Sequence, residues 1–351
     1  MERTRLTLGT LLAVAFVAVA GVGLAAVAHL AAGSAKAQAS RLPELVRFLP
    51  ADSAFVAYVD LTSLLQSPLR DQWEQRQGEK YVEELEDFRG LTGIDPRSDL
   101  NGVSFATAPE EMPEKSGSRP PSRFCLAVSG NFQADRLVGA LEQRLARQEP
   151  PATLERSTYR NTALYLLHFK GEDEPRGRRT QALAFPNSTT SLFGTPERVK
   201  AMLDTGAGEA PPFAASALGR WLEEEAKDDA AWVAGSAEAG FARLFAREAG
   251  SVAPGLPPLK YFVLSARFGQ FLEAFARGEA SDPDSARKLA EVVRGFIALG
   301  SLQQPQKPEL AALLNAVSIE TSQNRVEISL AIPYETLERL TAQHRKAEAQ
   351  E

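Results

Sequence analysis

The chain has 351 residues, of which 44% are hydrophobic and 24% charged, and its formal net charge is −6. These values are typical of a globular protein of about two domains. The acidic balance argues against non-specific nucleic-acid binding, which needs Lys and Arg to neutralise phosphates, so we expect no nucleic-acid partner. The one cysteine, Cys125, excludes an internal disulfide, and its apolar surroundings predict a small buried side chain.

The first forty residues are typical of an export segment. Arg3 and Arg5 precede a run from Leu6 to Ala35 without Lys, Arg, Asp or Glu, whose densest part, Leu11–Ala28, is wholly apolar. This stretch approaches the roughly 20 residues that a spanning helix needs and exceeds most signal-peptide cores. Because the basic end of such a segment stays on the cytoplasmic side of the membrane, we expect the rest of the chain, its body, to lie outside the cytoplasm.

This segment is either retained as a membrane anchor or cleaved as a signal peptide. Retention, with a helix across residues 11–32, predicts a single-pass protein of the bacterial inner membrane whose body lies in the periplasm. Cleavage is the alternative, since residues 35–39 hold two overlapping A-x-A patterns, and cutting after Ala37 or Ala39 would release a secreted protein. The body has a net charge of −8, because residues 1–39 carry +2.

Residues 41–205 predict a first α+β unit. The apolar run of residues 54–61 predicts a central strand, and Thr62 is a candidate cap for the helix that follows. Turn residues and hydrophobic periodicity then predict strands at 102–108 and 124–130, helices at 81–91 and 134–148, hairpins over 159–169 and 181–194, and a helix from Pro196 to about Asp204.

A linker at residues 206–215, rich in Gly, Ala and Pro, separates a second unit over residues 216–346. Here we predict strands at 231–236 and 261–268, a hairpin over 317–332, and helices at 215–227, 238–248, 284–299, 308–314 and 335–346. Each unit opens with an apolar strand that leads into a helix, so the two look loosely alike. The predicted fold class is therefore α+β: an N-terminal membrane helix within residues 1–40, then two similar units of antiparallel or mixed sheet with helices on one face.

Three segments resemble a family of bacterial exported, membrane-anchored proteins with a domain of unknown function. They are Leu49-Pro50-Ala51-Asp52 before an apolar strand, Gly194-Thr195-Pro196-Glu197-Arg198-Val199, and the terminal hairpin of residues 317–330. The likeness covers most of residues 45–345. It implies a bacterial envelope protein, and it implies no reaction and no functional residues.

The serine motifs fail as catalytic signatures. Ser236 lacks the flanking glycines of a nucleophile elbow, since Ala234 and Glu238 occupy those positions. Ser285 and Lys288 match S-x-x-K, and Ser129-Gly130-Asn131 matches S-x-N, but their order is reversed and no K-T-G occurs. We expect the segment from Asp282 to Ser285 to cap a helix instead.

Histidine and acidic residues give no metal or cofactor signature. His29, His168 and His344 are far apart in sequence, and we expect His168 to be structural. The acidic runs at residues 83–87, 223–225 and 228–229 are typical of solvated helix faces, although paired carboxylates could serve a glycosidase. The basic spot of residues 176–179 is typical of a solvated loop. The alternative is that these residues contact anionic lipid headgroups. We predict no catalytic residues, no metal ligands and no cofactor.

The function that these observations favour is a non-enzymatic, membrane-anchored extracytoplasmic protein that binds an envelope protein partner or a ligand. Two alternatives remain open. One is an extracytoplasmic hydrolase assembled across the fold, from Ser285 with Lys288 or from a carboxylate pair. The other is a carrier of a lipid or another small hydrophobic ligand.

Overall fold

The computed structural model describes residues 42–70, 85–108, 123–147, 152–170, 178–226, 228–236, 259–303 and 313–339. The predicted membrane helix and both cleavage sites lie outside these residues, as do the helix predicted at 238–248, most of the helix predicted at 308–314 and half of the basic spot at 176–179. Within the described residues, no helix is long and apolar enough to cross a membrane.

A single antiparallel sheet of twelve strands organises the described residues, which confirms the predicted α+β class. The order across the sheet is β11-β12-β10-β9-β8-β1-β2-β3-β7-β6-β5-β4. The strands in chain order are β1 (Phe55–Asp60), β2 (Leu100–Thr107), β3 (Phe124–Gly130), β4 (Thr153–Tyr159), β5 (Thr162–Lys170), β6 (Arg178–Asn187), β7 (Thr190–Gly194), β8 (Ala231–Ser236), β9 (Leu259–Phe268), β10 (Leu272–Ala280), β11 (Ser318–Ser322) and β12 (Arg325–Ile332).

Strands β1 and β8 meet near the middle of the sheet and join the two halves of the chain. Phe55 lies opposite Gly235, and Val59 lies opposite Ala231. Outward from this seam the first half runs β1-β2-β3-β7-β6, and the second half runs β8-β9-β10-β12-β11. The two halves therefore share one pairing order, to which the first half adds the edge hairpin of β4 and β5.

Strands β4 and β10 were not predicted from the sequence. Their sequences, TLERSTY and LEAFARGEA, carry charged residues in place of a clean apolar alternation. Each strand is held by pairing with a neighbour, β4 with β5 and β10 with β12. Tertiary pairing thus overrides a weak local preference, which is common for strands.

Helices cover both faces of the sheet, so the prediction that they pack on one face is wrong. The main helices are α1 (Leu61–Gln66), α2 (Ala134–Ala146), α3 (Pro196–Gly206), α4 (Ala217–Glu225) and α5 (Pro283–Gln303). Successive residues of β3 separate the faces: Ala127 packs in one core with Met202 of α3, and Val128 packs in another core with Val138 of α2. Both alternations of β3 are apolar, so both faces need cover.

The first described residues enter the core at once. A 3-10 helix at Glu44–Phe48 buries Leu45, Val46 and Phe48, and Leu49 is fully buried behind it. The backbone N–H of Phe213 donates to the carbonyl of Leu49 at 2.7 Å, and Phe213 is itself fully buried. Part of the segment predicted as a linker therefore packs beside the start of the fold.

The residue that caps the start of helix α1 is Asp60, which lies two positions before the predicted cap, Thr62. The backbone N–H of Ser63 donates to Asp60 Oδ1 at 3.1 Å, so Asp60 caps the helix and the assignment of Thr62 is wrong. The carboxylate is a strong capping group, and it lies at the end of β1 where the chain turns into the helix.

Candidate functional site

A buried arginine joins two of the segments that carry the family resemblance. Arg198 Nη1 donates to both carboxylate oxygens of Asp52, at 2.7 and 2.8 Å, and its Nη2 donates to Ser53 Oγ at 3.2 Å. The Arg198 side chain is 4% exposed, whereas that of Asp52 is 55% exposed. The pair therefore fixes the chain before β1 to the first turn of α3, which is a structural role.

Cys125 lies beside this pair in the same core. Burial raises the pKa of its thiol to about 11, although the nearby Arg198 guanidinium opposes the rise. A thiol with so high a pKa stays protonated near neutral pH and is a poor nucleophile. The prediction of a buried apolar Cys125 is confirmed.

A second buried ion cluster lies on the second half of the sheet. Asp229, whose side chain is fully buried, accepts from Arg277 Nη1 at 2.7 Å and from Arg267 Nε at 2.6 Å. Arg277 also donates from Nη1 to Ser265 Oγ at 2.9 Å and from Nε to Glu327 Oε2 at 2.6 Å. The prediction that the acidic run of residues 228–229 lies on a solvated helix face is wrong for Asp229, which is buried in the loop before β8. Its partners lie on three strands that are distant in sequence, so no local pattern indicated the cluster.

Phe275 holds the two arginines of this cluster in place. Its ring centroid lies 4.2 Å from the guanidinium carbon of Arg277 and 4.5 Å from that of Arg267. Stacking on an aromatic face leaves the in-plane N–H groups free to donate to carboxylates. The charged groups of the cluster are therefore paired with one another. These contacts connect the loop before β8 to β9, β10 and β12.

The serine candidates are engaged in local structure. The backbone N–H of Ser285 donates to Asp282 Oδ1 at 2.8 Å, and the Ser285 hydroxyl donates to Asp282 Oδ2 at 2.8 Å. These contacts lower the pKa of Asp282 to about 2. The segment caps α5 as expected, with Asp282 as the accepting residue. Ser129, on β3, donates to the carbonyl of Gly102 at 3.5 Å.

His168 bridges three strands at the β4 edge of the sheet. Its Nδ1 lies 3.0 Å from Thr180 Oγ1 on β6, and its Nε2 lies 3.1 Å from Glu155 Oε2 on β4. The side chain is 22% exposed. These contacts give His168 the structural role that was predicted, whereas His29 and His344 lie outside the described residues.

The acidic run of residues 223–225 takes part in ion pairs across the fold. Arg325 of β12 donates from Nη2 to Glu224 Oε2 at 3.0 Å, and its Nη1 lies 2.8 Å from Glu225 Oε1. Burial raises the pKa of Glu225, and Arg325 and Arg277 oppose that rise. Among the residues that the structure describes, no group of three or more His, Cys, Asp or Glu side chains could hold a metal ion.

Among the described strands, β4 lies at one edge of the sheet and pairs with β5 in a regular register. Arg160 and Asn161 have positive φ angles of 48° and 61°, and they join Tyr159 to Thr162 in a two-residue turn of type I′ geometry. Residues that flank such a turn exchange both backbone hydrogen bonds, and this pattern alternates along the strand. Every second residue therefore points its N–H and C=O away from the sheet: Leu154, Arg156 and Thr158.

Both charged side chains of this edge are drawn back onto the fold. Arg156 donates from Nη2 to Glu142 Oε1 of α2 at 3.0 Å, and Glu155 contacts His168. The hairpin tip is fastened to α3, because Tyr159 donates to Asp204 at 3.0 Å and Arg160 is ion-paired with Asp204 and Glu209. These contacts hold the edge in place, and of its three outward-directed residues Arg156 and Thr158 are exposed and Leu154 is partly buried.

Comparisons with known proteins identify one distant structural likeness. No family model matches the sequence, and no curated protein matches it. The solved structure described as crystal form III of TP0453 is similar at a TM-score of 0.48 and 11% sequence identity, over 84% of this chain and 96% of that one.

Proposed function

We propose that this protein is a non-enzymatic, membrane-tethered extracytoplasmic protein that binds an envelope partner through a rigid α+β body. One observation carries the proposal: the residues that follow the N-terminal apolar run are already core residues. Val46 and Leu49 are 1% and 0% exposed. The ten residue steps from Ala35 to Leu45 can span at most about 35 Å, so a retained anchor would hold the body close to the membrane surface.

The contacts of the candidate side chains support a binding role over hydrolysis. The Ser285 hydroxyl is committed to Asp282, and His168 is committed to Thr180 and Glu155. A nucleophile needs a base within hydrogen-bond reach, and here the hydroxyl donates to a carboxylate whose pKa is low. The residues that could have formed a site are used to cap a helix and to join strands.

We also infer that the two halves are copies of one unit and that the chain belongs to the exported family that it resembles. The common pairing order of the halves, with β1 and β8 as equivalent first strands, supports the duplication. The contact of Asp52 with Arg198 supports the family, because it joins two of the three resembling segments.

Membrane fractionation of cells that express the full chain tests the tether. We expect the chain in the inner-membrane fraction after an alkaline wash, with its body open to protease added to spheroplasts. A variant without residues 1–40 should leave that fraction. Intact-mass measurement of the membrane-bound protein separates retention from cleavage after Ala37 or Ala39. Recovery of the full chain in the cytosol would overturn the proposal.

Crosslinking in the membrane tests partner binding. The chain is crosslinked in its native membrane and purified through a C-terminal tag, and the attached peptides are identified by mass spectrometry. We expect one envelope protein to be recovered in constant ratio, with contacts that map to a single surface of the body. Recovery of no partner, together with turnover of an ester or glycoside that Ser285→Ala abolishes, would favour the hydrolase.

A further inference from the structure

We propose that the outer edge of β4 is a strand-addition site for an extended, basic segment of a partner protein. This inference rests on the proposed function, since it names the surface at which the partner binds. Leu154, Arg156 and Thr158 offer three N–H donors and three C=O acceptors along one line, which is the array that an added strand uses.

The two edges of the sheet differ in how they are protected. Natural edges are commonly blocked by charged side chains, prolines or bulges. On β11, Glu320 lies opposite Glu327 across the strand pair, and Ser318 and Ser322 flank it on an exposed strand. On β4 the guanidinium of Arg156 is engaged by Glu142, and no proline or register shift interrupts the strand. The charge of Arg156 on β4 is thus paired with a carboxylate, whereas Glu320 on β11 faces another carboxylate, and this difference favours β4 as the edge that accepts an added strand.

Charge decides between a second copy of this chain and a different strand. Antiparallel self-pairing over all seven residues of β4 would place Arg156 directly opposite the Arg156 of the second copy. A shift of one copy by two residues toward the strand's start would place Glu155 opposite Glu155. Like charges in directly opposed positions destabilise a strand pair. Self-pairing avoids both conflicts only in registers that pair five residues of β4 or fewer, whereas a strand of different sequence can pair along all seven.

Glu155 sets the chemistry of the added strand. Its Oε2 contacts His168, yet the side chain is still 62% exposed on the outer strand, and the neighbours on its face, Thr153 and Ser157, are uncharged. A Lys or Arg opposite Glu155 would form a cross-strand ion pair, whereas an acidic residue there would be repelled. The body as a whole is acidic, which also favours a basic partner over an acidic one.

The test uses the detergent-solubilised full chain and two synthetic peptides. Each peptide has seven residues of alternating threonine and valine, with lysine at the centre of one and glutamate at the centre of the other. Amide exchange is followed at millimolar peptide concentrations. We expect the lysine peptide to slow exchange at Leu154, Arg156 and Thr158, and to bind about two- to fivefold more tightly than the glutamate peptide.

A matched pair of proline variants checks the site. Thr158 and Thr321 each precede the residue that closes a two-residue hairpin turn, on β4 and on β11, and each has an outward N–H. Thr158→Pro should weaken the lysine peptide about five- to tenfold, and Thr321→Pro should leave its binding unchanged. Glu155→Lys, which keeps the backbone intact, should reverse the preference between the two peptides.

Three results would overturn the inference. One is the absence of protection at the outward amides with either peptide, and another is equal weakening by both proline variants. The third is a concentration-dependent dimer in sedimentation that Thr158→Pro abolishes, which would make a second copy the occupant. A partner captured in membranes whose crosslinks map away from β4 would leave the proposed function standing and remove this site.

Discussion

Arg198 and Asp52 lie 146 residues apart in sequence, and the arginine donates to both oxygens of the aspartate at 2.7 and 2.8 Å. Because the guanidinium is buried, loss of Asp52 would leave its charge beside the uncharged side chains of Ser53 and Cys125. The pair therefore couples the entry of the chain into the fold to the start of α3.

We expect Asp52→Ala to lower the free energy of unfolding by about 2–3 kcal/mol, because it leaves the buried Arg198 guanidinium without its carboxylate partner. The double variant Asp52→Ala with Arg198→Met should lose less, since methionine fills the space without a charge. Urea unfolding of the single and double variants measures the coupling. A loss under about 0.5 kcal/mol in the single variant would mean that solvent replaces the aspartate.

Disruption of the Asp229 cluster should lower the free energy of unfolding more than loss of Asp52 does. Asp229→Asn removes the charge that faces Arg267 and Arg277 in a fully buried position. We expect a loss of about 3–5 kcal/mol in urea unfolding. Asp228→Asn, at the exposed neighbouring residue, is the matched control and should change stability by less than about 0.5 kcal/mol. Equal effects of the two variants would contradict the structural role of the cluster.

Two glycines should respond in opposite directions to alanine. A methyl group on Gly206 would lie 2.5 Å from the Phe48 ring, where α3 packs against the entry segment, so we expect Gly206→Ala to cost about 1–3 kcal/mol. Gly139, inside α2, has open space at that position, and Gly139→Ala should stabilise by about 0.5–1 kcal/mol. Thermal unfolding of both variants checks the contrast. A neutral Gly206→Ala would show that Phe48 moves aside.

The cap of α5 should be sensitive to acid. The pKa of Asp282 is lowered to about 2, chiefly by the backbone N–H of Ser285 and then by the hydroxyls of Ser281 and Ser285. The stabilising effect of the carboxylate is therefore full above its ordinary pKa and is lost as the pH falls toward 2. Carboxyl titration by NMR, with amide exchange at Ser285, follows this change. Asp282→Ala should expose the first turn of α5 at every pH, whereas Ser285→Ala keeps the backbone contact. An unshifted carboxyl titration would contradict the cap.

Local sequence determined much of the secondary structure. The apolar runs of β1, β3 and β8 and the hairpin of β11 and β12 were predicted close to their observed limits, because alternation and turn residues act over a few positions. The cap at the start of α5 was visible for the same reason. By contrast, β4 and β10 have polar sequences, and only pairing with a neighbouring strand makes them part of the sheet.

The sequence by itself determined the α+β class, the burial of Cys125 and the local structural roles of Ser285 and His168. Tertiary structure alone decided that the halves share one sheet through β1 and β8, that helices cover both faces, and that β4 forms an edge. It also brought Arg198 to Asp52 and Arg277 to Asp229. Such contacts depend on packing between residues far apart in the chain, which no local pattern of residue types records.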